Sequence, residues 1–279
     1  MFDRAVGLAL APGGLLVSEA KEIGVVGGEQ NQRIRRVAFD GTVTTVAGNG
    51  DAGYVDGPAS RAEFDQPTGI WADSDGGAFI ADSFNYRVRR LDASGVVSTF
   101  AGSGPVALPT DQGEFGFPPE NVAITGNGSS NGEFAYPFTV IGNDQGYLFV
   151  GDAAAIESVN PSGTIGIVAG VPNAAAYRDG NPATARFNFL SALALSPSGL
   201  VVGDSTCLRL MSGTPSMLYA DGMVSTLAGK CADSEGVNFQ DGSGSQARFG
   251  AVTGLATDAY GNIYIADGPK ARIRKASSQ

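Results

Sequence analysis

The chain has 279 residues, 41 of them glycine, with 16% charged side chains and no histidine. Its 28 acidic against 18 basic residues give a net charge of −10, which repels phosphate backbones and argues against nucleic acid as a partner. Without imidazole, Ser-His-Asp and Cys-His nucleophile systems, a His general base and His-based zinc chemistry are all excluded. No apolar run approaches the roughly 18–20 residues that span a bilayer. No charged start followed by a short apolar core marks a signal peptide.

In chain order, short β-branched and aromatic runs alternate with turns built from Gly, Asp, Asn and Ser, the pattern of a meander of strands. The first unit, about 5–66, carries strands at 7–10, 15–19 and 43–48, with a longer glycine-rich segment at 20–31. The second, 67–136, is the most regular. It reads Thr68-Gly69-Ile70-Trp71-Ala72-Asp73, then Ala78-Phe79-Ile80-Ala81-Asp82, then Arg87-Val88-Arg89-Arg90-Leu91, then Val96-Val97-Ser98-Thr99-Phe100-Ala101-Gly102. Within it, 105–136 is a long inserted loop, expected as an excursion, and it contains the glycosylation-type triplet Asn127-Gly128-Ser129. The third unit, 137–188, enters at Pro137 and closes with Ile165-Gly166-Ile167-Val168-Ala169-Gly170. The fourth, 189–250, closes with Val224-Ser225-Thr226-Leu227-Ala228-Gly229. The fifth, 251–279, repeats three strands and lacks the fourth.

A repeat of this size implies a solenoid or a propeller, and the whole chain reads as one all-β domain of five four-stranded units, the last truncated. The Pro-x-Gly-Ile, Ile-Ala-Asp, Asn-x-Arg-Val-Arg and Val-Ser-Thr-Phe-Ala-Gly strands resemble the NHL repeat family of β-propellers. That resemblance implies either a five-bladed ring with a short last blade or part of a six-bladed one, both chain ends looking cut. An open ring exposes strand edges, a route to self-association. The family includes RNA-binding, protein-binding and enzymatic members, so the resemblance specifies the fold more than the activity.

Three sets of residues stand out. Each second strand closes on an acidic residue, Glu19, Asp82, Asp152, Asp204 or Asp267. The resemblance implies positions near the end of a central channel, where oxygens suit a hard cation such as calcium. The third strands offer Arg35, Arg89, Arg209 and Arg274 as partners that would make the same carboxylates structural. Glu157 stands where the third unit should have its arginine, which makes Asp152 the first metal candidate. The loops around Asp56, Asp179 and Asp241 share an Asp-Gly turn followed by Ala-x-Phe. They read as turns tucked onto the next blade or as carboxylates displayed on a binding face. Cys207 and Cys231, the only cysteines, fall at neighbouring positions of an antiparallel pair by repeat alignment. They form either a disulfide, which implies an extracellular or other oxidising compartment, or two intracellular thiols. The leading expectation is a non-catalytic binding or scaffold propeller whose face loops contact a protein, peptide or glycan. The alternative is a calcium-dependent hydrolase or lactonase with channel carboxylates.

Overall fold

The computed structural model describes residues 4–21, 31–104, 132–172, 174–213, 222–231, 240–268 and 271–277. The chain is all-β, and five small antiparallel sheets make it a five-bladed β-propeller. In the first sheet β1 (Ala5–Ala11), β2 (Gly14–Glu19), β3 (Gln32–Ala38) and β4 (Val43–Gly50) pair in sequence order. The second adds a two-residue outer strand, β5 (Gly57–Pro58), to β6 (Pro67–Ala72), β7 (Ala78–Asp82), β8 (Arg87–Leu91) and β9 (Val96–Ala101). The third holds β10 (Pro137–Gly142), β11 (Leu148–Asp152), β12 (Ala155–Val159) and β13 (Ile165–Gly170). The fourth holds β14 (Leu190–Ser196), β15 (Gly199–Asp204), β16 (Cys207–Ser212) and β17 (Val224–Gly229). The fifth has three strands among the described residues, β18 (Val252–Thr257), β19 (Ile263–Asp267) and β20 (Arg272–Ala276). The inserted segment expected at 105–136 lies outside the described residues as far as 131, as do 22–30 of the glycine-rich segment. No helix among the described residues is long and apolar enough to cross a membrane.

The turns expected from sequence are closed by their own side chains. Asp73 Oδ1 accepts the N–H of Asp75 and Gly77, Asn143 Oδ1 those of Gln145 and Tyr147, and Asp258 Oδ1 those of Tyr260 and Asn262. Each carboxylate or amide thus replaces backbone partners that a tight reversal leaves unpaired.

Contacts group the chain into two compact units, 1–142 with 159–165, and 143–158 with 166–279. In the first unit the innermost strands of successive blades approach closely. A Cβ on Gly69 would lie 2.6 Å from Thr139 Cα, so only glycine fits the Pro-x-Gly entry there. Thr68 Oγ1 donates to Phe138 O at 2.7 Å, tying the two strands at that point. Ile34, Ala62, Phe64, Ile70, Ile80 and Val97 form one continuous apolar core in this unit. In the second unit Val201, Leu208, Ala247, Phe249, Val252 and Ile265 form another.

Candidate functional site: arginine anchors and a carboxylate pair

The acidic residue that ends each second strand faces a third-strand position, because adjacent antiparallel strands place side chains of the same parity on one face. In the second blade this brings Asp82 and Arg89 together, both fully buried, with Arg89 Nη1 2.7 Å from Asp82 Oδ2. The guanidinium does more than pair once. Its Nε and Nη2 donate to Asp56 Oδ1 at 3.1 and 2.6 Å, Nη2 to Val55 O at 2.9 Å, and Nη1 to Glu63 O at 3.0 Å. Its plane lies over the Phe64 ring, 5.2 Å from the centroid. The loop before the blade therefore delivers a carboxylate, two carbonyls and a phenyl ring to one arginine. The second carboxylate oxygen is also used, since Asp82 Oδ1 accepts the Asp65 N–H at 2.7 Å.

The fourth blade repeats the arrangement. Arg209 Nη1 meets Asp204 Oδ2 at 3.0 Å, while Nε and Nη2 hold Asp179 Oδ1 at 3.1 and 2.7 Å. Carbonyls of Arg178 and Arg186 accept the remaining donors, and Phe187 lies 5.3 Å from the guanidinium. In the fifth blade Arg274 lies 2.7 Å from Asp241 Oδ1 and 3.5 Å from Asp267 Oδ2, over Phe249 at 4.5 Å. The first blade pairs Arg35 with Glu19, 2.9 Å apart. Burial pushes Asp82 and Asp204 up to about 6, against the pull of their arginines.

Asp56 and Asp179 also reach the strand that follows the arginine's, β9 and β17. Asp56 Oδ2 accepts the Thr99 N–H at 3.0 Å and its hydroxyl at 3.1 Å. Asp179 does the same for Thr226, through Oδ2 and Oδ1, at 3.0 and 3.1 Å. Sequence reading placed these aspartates on turns or on a display face. It missed their pairing with Arg89 and Arg209, because the partners lie 33 and 30 residues apart. The signal was present as co-occurrence: each Asp-Gly, Ala-x-Phe loop is followed, in the next blade, by a third-strand arginine.

The third blade departs from this plan. Glu157 follows Asp152 by the same five positions that separate Arg209 from Asp204, and both carboxylates are buried, Glu157 being 1% exposed. Among the described residues, Glu157 Oε2 has no hydrogen-bond partner. Burial holds the Glu157 carboxyl well above the usual carboxylate range, and the neighbouring Asp152 charge raises it further. Residues 105–131, the segment preceding this blade, contain no Lys or Arg.

Such a raised group stabilises the fold fully below its unfolded pKa, near 4.5, and that contribution is lost as pH rises through the folded value. Glu157→Gln removes the ionisation while keeping the shape. The variant is expected to match the parent at pH 5 and exceed it at pH 8 by about 1–2 kcal/mol, the linkage penalty of ionising a carboxyl that the fold keeps protonated. That corresponds to about 2–8 °C in unfolding temperature, measured by calorimetry across pH.

Cys207 and Cys231 form a disulfide with Cα atoms 5.1 Å apart. Cys207 begins β16 opposite Gly229, the end of β17, and Cys231 follows two residues later. Glu19, Asp82, Asp204 and Asp267 each pair within their own blade. Among the described residues, no group of three Cys, Asp or Glu side chains is placed to hold a metal ion. Calcium takes six to eight oxygens, and the Asp152 and Glu157 pair does not make up that set.

No family model and no curated protein matches the chain. Solved structures do. It is similar over 98% of its length to an auxiliary nutrient binding protein from Bacteroides thetaiotaomicron, at 17% identity and TM-score 0.58, covering 69% of that chain. It is similar over 98% to an auxiliary nutrient binding protein from Bacteroides ovatus, at 14% identity and TM-score 0.62, covering 59% of that chain. A gluconolactonase from Xanthomonas campestris is matched over 98% of this chain and 72% of that one, at 13% identity and TM-score 0.56. Identities this low show the fold alone.

Proposed function

We propose that this chain is a non-catalytic binding propeller of the NHL-like type, whose blade-face loops contact a protein, peptide or glycan. The observation that carries this reading is the use made of its carboxylates. Asp82, Asp204 and Asp267, together with Asp56, Asp179 and Asp241, are drawn into arginine forks that fix loops to blades. A carboxylate that holds a guanidinium and backbone N–H groups is committed to structure rather than to a cation or a substrate proton. Two of the similar structures being described as nutrient binding proteins is in keeping with a binding role. The disulfide supports an extracellular or other oxidising compartment.

The competing reading is a calcium-dependent lactonase, in keeping with the gluconolactonase among the similar structures. The two are separated by unfolding the purified chain in millimolar calcium and in excess chelator, alongside a gluconolactone hydrolysis assay. The binding reading predicts superimposable unfolding curves and hydrolysis at the buffer rate. A calcium site loaded to 100 times its dissociation constant would instead add about 2.7 kcal/mol, or about 5–10 °C for a domain of this size. A shift of that size accompanied by turnover would replace the binding reading with the enzymatic one.

A further inference from the structure

Because one unit recurs, its copies separate the side chains that the fold requires from those it does not. The residue after each loop phenylalanine does one structural job, and does it through its backbone. The N–H of Asp65, Asn188 and Gly250 donates to the carboxylate that ends the second strand, Asp82, Asp204 and Asp267, at 2.7, 2.8 and 2.9 Å. Glycine suffices for that bond, so it does not call for the carboxylate that Asp65 carries. The turn from second to third strand likewise takes a left-handed residue, supplied by Ala153, Ser205 and Ala271 at φ of 49°, 53° and 47°. In the second blade that duty falls on Tyr86, at φ 56°. Small residues enter this region at modest cost, whereas a bulky aromatic one there is a strained exception of the kind that collects at binding sites. The second blade thus carries two side chains in excess of its architecture.

Both lie in the first unit, where the first two blades meet the start of β10. The Phe84 N–H donates to Asp65 O at 3.0 Å, the Ser83 N–H to Gln66 O at 3.2 Å and the Tyr86 N–H to Ser83 O at 3.2 Å. Gln66 Nε2 and Arg4 Nη1 donate to Lys21 O at 3.0 and 3.1 Å, and Ser83 Oγ to Pro137 O at 2.7 Å. The Phe84 and Tyr136 rings meet with centroids 6.0 Å apart. The backbone here is fixed on every side, and three polar tips are left over. Among the described residues nothing hydrogen-bonds or ion-pairs with the Asp65 carboxylate, the Tyr86 hydroxyl or the Lys21 ammonium. All three side chains are half-buried, as is Phe84. They also feel one another: burial pushes Asp65 up to about 6 against the pull of Lys21, and burial followed by the Asp65 charge raises the Tyr86 phenol.

These groups define the ligand. A free anion placed among them meets Asp65, and a free cation meets Lys21. A carboxylate only accepts, an ammonium only donates and a phenol does both, which suits an uncharged ligand whose hydroxyls take either role. The adjoining rings offer an apolar surface to its C–H face, the usual pairing of aromatic walls with a few placed polar groups. We propose that Asp65, Tyr86 and Lys21, beside the Phe84 and Tyr136 rings, form a binding site for a neutral saccharide. Its hydroxyls donate to the Asp65 carboxylate, its oxygens accept from Lys21 and Tyr86, and its C–H face packs against the rings. This rests on the binding reading above and narrows protein, peptide or glycan to the last.

The test applies the fluorescently labelled full chain to an array of immobilised neutral oligosaccharides of glucose, mannose, galactose and xylose, and titrates the strongest signal. Saturable binding is expected, weakened about tenfold in Asp65→Ala and again in Tyr86→Phe, since each deletes a hydrogen bond to the ligand. The equivalent position in the third blade is Ala135, and the Tyr86 hydroxyl has no partner within the described residues, so both variants keep the fold. Tyr86→Gly supplies a second readout. Relief of the left-handed strain is expected to keep its unfolding temperature within about 2 °C of the parent or above it, while saccharide binding is lost. A larger fall would show that the tyrosine serves packing and would overturn the assignment. An array without saturable binding, or with binding indifferent to Asp65→Ala and Tyr86→Phe, overturns it too. That outcome leaves the binding propeller standing for a protein or peptide, whereas a calcium shift with gluconolactone turnover overturns the reading beneath it.

Discussion

Replacing Arg89 with Met is expected to lower stability by about 3–5 kcal/mol, the usual cost of deleting one partner from a buried ion pair, and to lower the unfolding temperature by about 6–20 °C. The size follows from what is left behind. Asp82 is fully enclosed and already pushed up to about 6 by burial while its arginine pulls it down. Without that cation its folded pKa rises further. A carboxyl raised in the folded state contributes stability that is complete below its unfolded value, 3.8, and is lost as pH rises through the folded one. The defect is therefore smaller at pH 5 than at pH 8, which thermal unfolding at the two values measures directly. Asp56 remains solvated and contributes little to this asymmetry, but the carbonyls of Val55 and Glu63 each lose a charged donor and keep only each other's backbone N–H. Arg89→Lys is expected to recover only part of the loss, because one ammonium cannot fork between two carboxylates and two carbonyls. Equal destabilisation at pH 5 and pH 8 would show that the arginine acts through packing on Phe64 rather than through charge.

The double change Cys207→Ala with Cys231→Ala is expected to cost about 3 kcal/mol, because the bond closes a loop of 24 residues whose freedom in the unfolded chain it removes. The corresponding fall of about 6–12 °C in unfolding temperature should be reproduced by unfolding the parent chain in strong reductant. The same blade retains its arginine anchor, so the two losses are expected to add when Arg209→Met is built on the cysteine-free chain. A shift under 1 °C would mean that the β16 and β17 edge is held by its register alone.

The strands and their turns were legible because both rest on local rules: alternation with period two, and Asp or Asn side chains closing reversals at Asp73, Asn143 and Asp258. The nearness of Cys207 and Cys231 was legible for a related reason, although the choice between a disulfide and two thiols was left to the structure. Repeat alignment converts a separation of 24 residues into neighbouring positions on two adjacent strands. The Asp82 and Arg89 contact was also within reach, since register alone places them on one face. The rest of the anchor was not. Whether Asp56 turns to its own backbone, to solvent or to Arg89 depends on the path of a loop across the blade, and no local pattern encodes that path. The buried state of Glu157 was hidden for the same reason. A glutamate in a third strand carries no mark of how fully it is enclosed.

The arginine anchor has a consequence for how such chains change length over evolution. Its components belong to one contiguous stretch, from the Asp-Gly loop through the third strand that carries the arginine, and the following fourth strand returns to that same loop. The self-contained cassette therefore begins just after an Ala-Gly strand end and finishes at the next one. A duplication or deletion cut at those points carries loop, carboxylates and arginine together and breaks no anchor. One cut between the Asp-Gly loop and the first strand would separate Asp56 from Arg89. Gene-level gain and loss of blades is thus expected to respect boundaries near Gly48, Gly102 and Gly229, whereas recombination at Pro67 would leave a stranded guanidinium in the core.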